Sequence, residues 1–239
     1  MLNNIKGITR RCFILFVFLS FITPDVYSQS TTFNKYILSS IQNFTRAACA
    51  TPNGGYIIGA DVMSLIRLDN SGNVSWGKGI TPLGNGYLLA LEDVCISSDS
   101  MYLLAGHAID FSQSFSAHVI MAAKVDTNGN LLWISLIDST YQIVKTIVLP
   151  VDGGGAIVCT TEATSEFSAN FNISISRFTS TGLLVWHKLI RASGFFQNYL
   201  LDVRSSGDGN YLASCRFDTV ALLLKFDPSG NLLWSKRNN

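Results

Sequence analysis

Along this chain the apolar residues fall into short blocks, and clusters of Gly, Asp, Asn and Ser punctuate them. Tyr56-Ile57-Ile58, Val119-Ile120-Met121 and Ala221-Leu222-Leu223-Leu224 are typical blocks. Their brevity and the turn residues that bound them predict β-strands rather than helices. Blocks that are apolar on nearly every residue predict sheets covered on both faces.

The spacing of the blocks is periodic. A first motif recurs four times: a basic residue, an apolar residue, Asp or Thr, two turn residues, Gly, usually Asn, two residues, then Trp. It reads Arg67-Leu68-Asp69-Asn70-Ser71-Gly72-Asn73-Val74-Ser75-Trp76, then Lys124 to Trp133, Arg177 to Trp186 and Lys225 to Trp234. All four tryptophans of the chain occupy this one position, with intervals of 57, 53 and 48 residues. A second motif precedes each copy: Pro52-Asn53-Gly54-Gly55-Tyr56, Ser97-Ser98-Asp99-Ser100-Met101-Tyr102, Asp152-Gly153-Gly154-Gly155-Ala156 and Gly207-Asp208-Gly209-Asn210-Tyr211, each followed by an apolar run. Both motifs have hairpin-turn chemistry, since Asp, Asn and Ser side chains bond to turn amides and Gly supplies a positive φ. Each unit then reads as strand a, tight turn, strand b, loop, strand c, tight turn, and a strand d that carries the Trp. Repeats of this length, each made of four strands, predict an all-β fold, a β-propeller of four-stranded antiparallel blades. The units span about 42–80, 88–137, 143–190 and 199–239.

Loop lengths point to where binding would occur. From the Tyr56 position to the Trp of the same unit the distances are 20, 31, 30 and 23 residues, whereas from each Trp to the next such position they are 26, 23 and 25. The b–c connection therefore absorbs most of the variation. Because successive strands alternate direction, both tight turns fall on one side, and the b–c and d–a loops fall on the other. Variable loops gathered on one side are the expected binding surface. They hold His107, Phe111 and Phe115 in unit 2 and Phe167, Asn170 and Phe171 in unit 3, with Tyr141, Phe195, Phe196 and Tyr199 in the d–a loops. Rings beside Ser and Asn suit recognition of a carbohydrate or a protein surface. The competing expectation is that these rings wedge between neighbouring blades.

Phe33-Asn34-Lys35-Tyr36-Ile37 matches the end of strand d in later units, for example Trp76-Gly77-Lys78-Gly79-Ile80, so residues 31–38 read as a lone outer strand. Two readings stay open: the chain is part of a longer propeller, or it is a four-bladed ring with a leader strand.

At these motifs the chain resembles a family of secreted bacterial repeat proteins, over about residues 42–239. Their unit runs Asp-Gly-Gly-Tyr-Ile-Ile, a variable stretch, then Leu-Ile-Lys-Leu-Asp-x-x-Gly-Asn-x-x-Trp-x-Lys. The resemblance implies a propeller-like fold and export, and it implies no single activity. A looser similarity links the turn to the quinoprotein propeller repeat, although Asp126 to Gly129 is one residue shorter, and no metal-binding set carries over.

The N-terminus adds export as an expectation in its own right. Lys6, Arg10 and Arg11 precede the apolar run Phe13 to Ile22, Pro24 breaks it, and Val26-Tyr27-Ser28 forms a cleavage site that leaves Gln29 first. The run is too short to span a bilayer, which needs about 20 residues. Residues 1–28 thus read as a signal peptide, and the location as extracellular or cell-surface. Their removal takes three basic residues and one acid from totals of 17 and 16, leaving a net charge of −1. That balance speaks against a nucleic-acid footprint.

Candidate chemistry is sparse. Cys49, Cys95, Cys159 and Cys215 lie inside apolar runs without a C-x-x-C pair and read as small core residues, although export would permit disulfides. His107, His118 and His187 share no repeat position and no ligand spacing. Asp126-Thr127-Asn128-Gly129-Asn130 lacks the spacing and distal Glu of a calcium loop, and its recurrence predicts a hairpin turn. Asp152-Gly153-Gly154-Gly155 reads as a flexible turn rather than a phosphate cradle. Sequons stand at Asn43, Asn73 and Asn172. No catalytic, cofactor or metal residue is assigned. The expectation is a monomeric, non-catalytic binding module for a protein or carbohydrate ligand. Its alternative is a propeller-type enzyme, a hydrolase or quinone-dependent oxidoreductase, with active residues on the loops or in a missing C-terminal part.

Overall fold

In the computed structural model the described residues are 44–61, 63–80, 87–110, 117–163, 171–190 and 197–237. They form sixteen strands: β1 (Thr45–Ala50), β2 (Tyr56–Ala60), β3 (Ser64–Leu68), β4 (Val74–Gly79), β5 (Tyr87–Ile96), β6 (Tyr102–Asp110), β7 (Ala117–Val125), β8 (Leu131–Thr140), β9 (Gln142–Val151), β10 (Gly155–Ala163), β11 (Phe171–Phe178), β12 (Leu184–Ile190), β13 (Asn198–Ser205), β14 (Tyr211–Phe217), β15 (Val220–Phe226) and β16 (Leu232–Arg237). Consecutive strands pair antiparallel in four separate sheets, β1–β4, β5–β8, β9–β12 and β13–β16. These are four meanders, as the repeat predicts, and they all lie within the unit Ser39–Asn239. The export segment 1–28, the stretch 31–38 and the Asn43 sequon lie outside the described residues. Among those described, no helix is long and apolar enough to cross a membrane.

The c–d turn takes its shape from one carboxylate. Asp69 Oδ1 accepts the amides of Ser71 and Asn73, both at 2.8 Å, while Oδ2 accepts Asn73 Nδ2 at 3.0 Å. Asp126 and Asp227 repeat the pattern with Asn130 and Asn231. In unit 3 Thr179 replaces the Asp, and its Oγ1 accepts the amide of Leu183 at 3.0 Å. A carboxylate engaged in this way is a turn fastener, which accounts for the recurrence of the calcium-like letters.

A bulge then aims the tryptophan. In every unit the c–d register slips next to the turn, so that Ser75, Leu132, Val185 and Leu233 have no partner of their own, and unit 2 slips a second time between Val119 and Ile120. Without this extra residue each Trp would face the opposite side of its sheet. With it, equivalent rows cross the four blades: Ile57–Arg67–Trp76, Leu103–Lys124–Trp133, Ile157–Arg177–Trp186 and Leu212–Lys225–Trp234. The bulge also explains the exposure of Leu132, Val185 and Leu233, each about half accessible.

The Trp-bearing face of units 1, 2 and 3 packs on the next blade. One apolar cluster joins units 1 and 2 around Ile57, Leu65, Leu91 and Tyr102, with Trp76 against it. A second joins units 2 and 3 around Leu103, Ile120, Val148 and Phe178, with Trp133. A third joins units 3 and 4 around Ile157, Ile175, Tyr211 and Phe226, with Trp186. Each buried aliphatic side chain contributes about 1.5–3 kcal/mol, so burial at these three seams stabilises the stacking of the blades. The indoles reach further, to the neighbouring c–d turn. Trp76 Nε1 donates to Thr127 O at 3.2 Å, and Trp133 Nε1 donates to Ser180 O at 2.8 Å. Trp186 Nε1 is buried without a hydrogen-bond partner among the described residues, because the equivalent carbonyl, that of Pro228, accepts Arg177 Nη1 instead.

That exception follows from the sequence. The basic residue of each row is normally held by its own a–b turn: Arg67 by Asn53, Lys124 by Asp99, Lys225 by Asp208. Unit 3 has Gly153 at this place, so Arg177 is released toward the next blade.

Candidate functional site

The first strands of the four blades, β1, β5, β9 and β13, face a common space of about 550 Å³. Its wall carries Arg46, Glu92, Asp93, Lys145, Asp202 and Arg204. None of these was singled out from the sequence, because the wall position is only half repeated: Asp93 and Asp202 fill it in units 2 and 4, whereas units 1 and 3 have Ala47 and Ile147. The charges are engaged with protein groups. Arg46 Nε donates to Asp61 at 2.5 Å, and Arg204 Nε donates to Asp202 at 2.9 Å. Lys145 Nζ donates to the Leu201 carbonyl of unit 4. Asp93 accepts the amides of Val94 and Val148, both at 2.9 Å. Burial raises the Asp93 pKa above the ordinary carboxylate value, and those two amides oppose the rise.

On the loop side the structure unites residues that the sequence kept apart. His107 Nδ1 lies 2.9 Å from Glu92 Oε1, and the His107 and His118 rings are 5.0 Å apart. Burial lowers the His118 pKa, with the charge of His107 adding to the effect. Its Nδ1 is buried without a hydrogen-bond partner among the described residues. The signal for this meeting was available: pairing Tyr102 with Val125 at the tight-turn end places His107 and His118 diagonally across the same hairpin. His187 stands elsewhere, on β12, beside Ser176 Oγ at 2.9 Å.

Phe171 and Tyr199 meet at the seam of units 3 and 4, with ring centroids 4.9 Å apart, and the Arg216 guanidinium sits 4.7 Å over the Tyr199 ring. Asn198 Nδ2 donates to the Phe171 carbonyl at 2.8 Å. These rings wedge two blades and still keep a part-exposed rim. Tyr141, the single residue between β8 and β9, is 38% exposed. Phe111, Phe115, Phe167, Asn170, Phe195 and Phe196 lie outside the described residues.

The four cysteines among the described residues have free thiols; Cys159 and Cys215 are buried, and Cys49 and Cys95 are half-buried. Desolvation pushes the Cys215 pKa up to about 12, and it raises the other three as well. Among the described residues, no group of three or more His, Cys, Asp or Glu side chains is placed to hold a metal ion.

No family model matches the chain, and no curated protein matches it. Solved structures do. An α-L-arabinanase from Penicillium chrysogenum aligns with TM-score 0.57 at 12% identity, over 81% of this chain and 66% of that one. A protein of unknown function from Bacteroides caccae aligns with TM-score 0.53 at 13% identity, over 85% and 63%. The Dos1 propeller aligns with TM-score 0.51 at 10% identity, over 82% and 47%. The chain thus spans less than two thirds of each of these neighbours, which include an enzyme. At such identities the likeness shows the fold alone: this chain is all-β, with the propeller fold in four four-stranded antiparallel blades.

Proposed function

We propose that the chain is an exported, non-catalytic binding module whose loop side takes a carbohydrate or protein surface. One observation carries this reading: Phe171, Tyr199 and Arg216 stack at the rim between units 3 and 4. Stacked rings with a guanidinium above them offer apolar area and directed hydrogen bonds at small conformational cost. The engagement of the axial charges in ion pairs and backbone bonds supports a bracing role for them rather than a catalytic one.

A glycan array and a panel of purified surface proteins test the reading, with Arg216→Ser and Tyr141→Ala as fold-preserving variants. Binding should fall at least about tenfold, which corresponds to 1.4 kcal/mol. Binding indifferent to both substitutions, or release of reducing ends from a bound glycan, would overturn it. Export is checked separately: protein recovered outside the cell should begin at Gln29.

A further inference from the structure

Among the described residues, three blade faces are covered by a following blade, and one is not. Leu103, Ala105, Ile120 and Ala122 of unit 2 are fully buried under unit 3. The same register positions in unit 4 are Leu212, Ser214, Ala221 and Leu223, and there Leu223 is 40% exposed. Trp234 is 37% exposed, whereas Trp76, Trp133 and Trp186 pack against the following seam. Every residue of β16 is exposed, while β12, its counterpart in unit 3, is mostly half-buried.

The polar fittings are left over in the same way. Lys78 Nζ donates to Asn130 of the next blade at 2.8 Å, and Lys188 Nζ donates to Asn231 at 3.1 Å. Lys188 and its counterpart Lys236 each lie over their own indole, at 5.4 and 5.5 Å, and among the described residues Lys188 alone of the two adds a bond to a following blade. Lys124 Nζ reaches both its own Asp99 and the Gly154 carbonyl of the next blade, whereas Lys225 is bonded to Asp208 of its own unit.

We infer that this face of unit 4 is a docking surface for one more four-stranded blade of the same repeat, entering with a Gly-Asn hairpin. The chemistry of the occupant is set by the three existing seams. A glycine must lie under the Trp234 ring, because a Cβ at Gly129, Gly182 or Gly230 would come within 2.9, 2.6 and 2.7 Å of the indole already there. An asparagine side chain must meet Lys236, and a backbone carbonyl must meet Lys225. The inner face of the occupant must present apolar residues to Leu212 and Leu223.

The test adds a blade to the full chain: residues 191–237 are repeated in tandem after Asn239. In repeat proteins stability is approximately the sum of unit terms and neighbour interfaces. The extended chain should therefore melt in one transition, about 4 °C or more above the parent. Trp234→Ser should remove that gain from the extended chain and cost the parent less, since the indole is 37% exposed there. If the added blade stays unfolded, residues 141–190 replace it. Failure of both extensions overturns the proposal, and so does an equal effect of Trp234→Ser in the two backgrounds. A parent that is dimeric by light scattering, with Trp234 already shielded from acrylamide, assigns the face to a second copy and also overturns it.

Discussion

Asp93 Oδ2 accepts the backbone N–H of Val148 at 2.9 Å, so a carboxylate on the first strand of unit 2 holds the first strand of unit 3. Inner strands of neighbouring blades are not hydrogen-bonded to each other as a sheet. A side chain that serves an amide on each strand closes that gap, through Val94 on its own strand and Val148 on the next. Asp93→Ala removes the acceptor for both amides, and a buried unsatisfied group costs about 1–3 kcal/mol. Urea unfolding should register a loss of about 2 kcal/mol. Because burial raises the Asp93 pKa above 3.8, the folded state holds this proton more tightly than the unfolded state. The penalty of the variant should therefore grow as pH falls from the folded pKa toward 3.8.

Gly182 and Gly209 both have positive φ, +85° and +79°, but only Gly182 lies under an indole. A Cβ there would come within 2.6 Å of Trp133, whereas nothing lies within 4 Å of the Gly209 position. Gly209→Ala should cost about 1–2 kcal/mol, the backbone strain alone. Gly182→Ala should add about 1–3 kcal/mol of overpacking. Thermal melts of the pair separate the two contributions.

The repeat was legible because its signals are local. Turn letters at fixed offsets, short apolar blocks and four tryptophans in one position are properties of contiguous residues, and they are enough for the meander and for the all-β class. What the turn glycines do beyond their φ was not legible, since the ring that forbids a Cβ at Gly182 comes from Trp133 in the preceding blade. The same holds for the axial wall. Asp93 and Val148 meet because two blades stack, and no spacing within either blade encodes that. His107 and His118 fall between these cases, because their pairing is local to one hairpin and follows once its register is fixed by Tyr102 opposite Val125. The Phe171–Tyr199 contact was anticipated only as one of two expectations for loop rings, and it combines both: the rings wedge a seam and show a rim.

Lys124 is 2% exposed and lies between Asp99 at 2.5 Å and the Gly154 carbonyl at 2.8 Å. Lys225 makes the equivalent ion pair with its side chain 19% exposed, opposite an Asp208 that is 50% exposed. Breaking one partner of a buried pair costs about 3–5 kcal/mol, while exposed pairs contribute about 0–1 kcal/mol. Asp99 is 45% exposed and can regain water, so Lys124→Met should cost about 3 kcal/mol. Lys225→Met should fall within about 1 kcal/mol of the parent. Equal losses in the two variants would contradict the assignment of Lys124 as a brace between blades.

The turn aspartates set the acid limit. Desolvation opposes ionisation of Asp126, yet the amides of Asn130 and Asn128 and the charge of Lys78 hold its pKa below 3.8. Asp227 is lowered likewise, first by the backbone of Asn231. A depressed carboxylate pKa gives stability that is complete above the unfolded value and lost as pH falls through the folded one. Unfolding should therefore steepen below pH 3.8. Asp126→Asn and Asp227→Asn should each flatten that limb, while the Thr179 turn, which does not titrate, contributes no slope of its own.

His118 sets a second and milder pH dependence, with its window near neutrality. Burial first, and the neighbouring His107 second, depress its pKa below 6.5, whereas Glu92 pulls the other way. The folded state thus prefers the neutral ring, and the unfolded state takes up the proton at a higher pH. Stability from this group is complete above pH 6.5 and is lost as pH falls from 6.5 toward the folded pKa. His118→Phe keeps a ring against His107 and removes the titration. Denaturation midpoints measured from pH 7.5 down to 5 should fall for the parent and fall less for the variant. The buried Nδ1 of His118 has no hydrogen-bond partner among the described residues, so its loss should cost little at pH 7.5. Parallel pH profiles for the two proteins would show that the histidine pair does not sense pH.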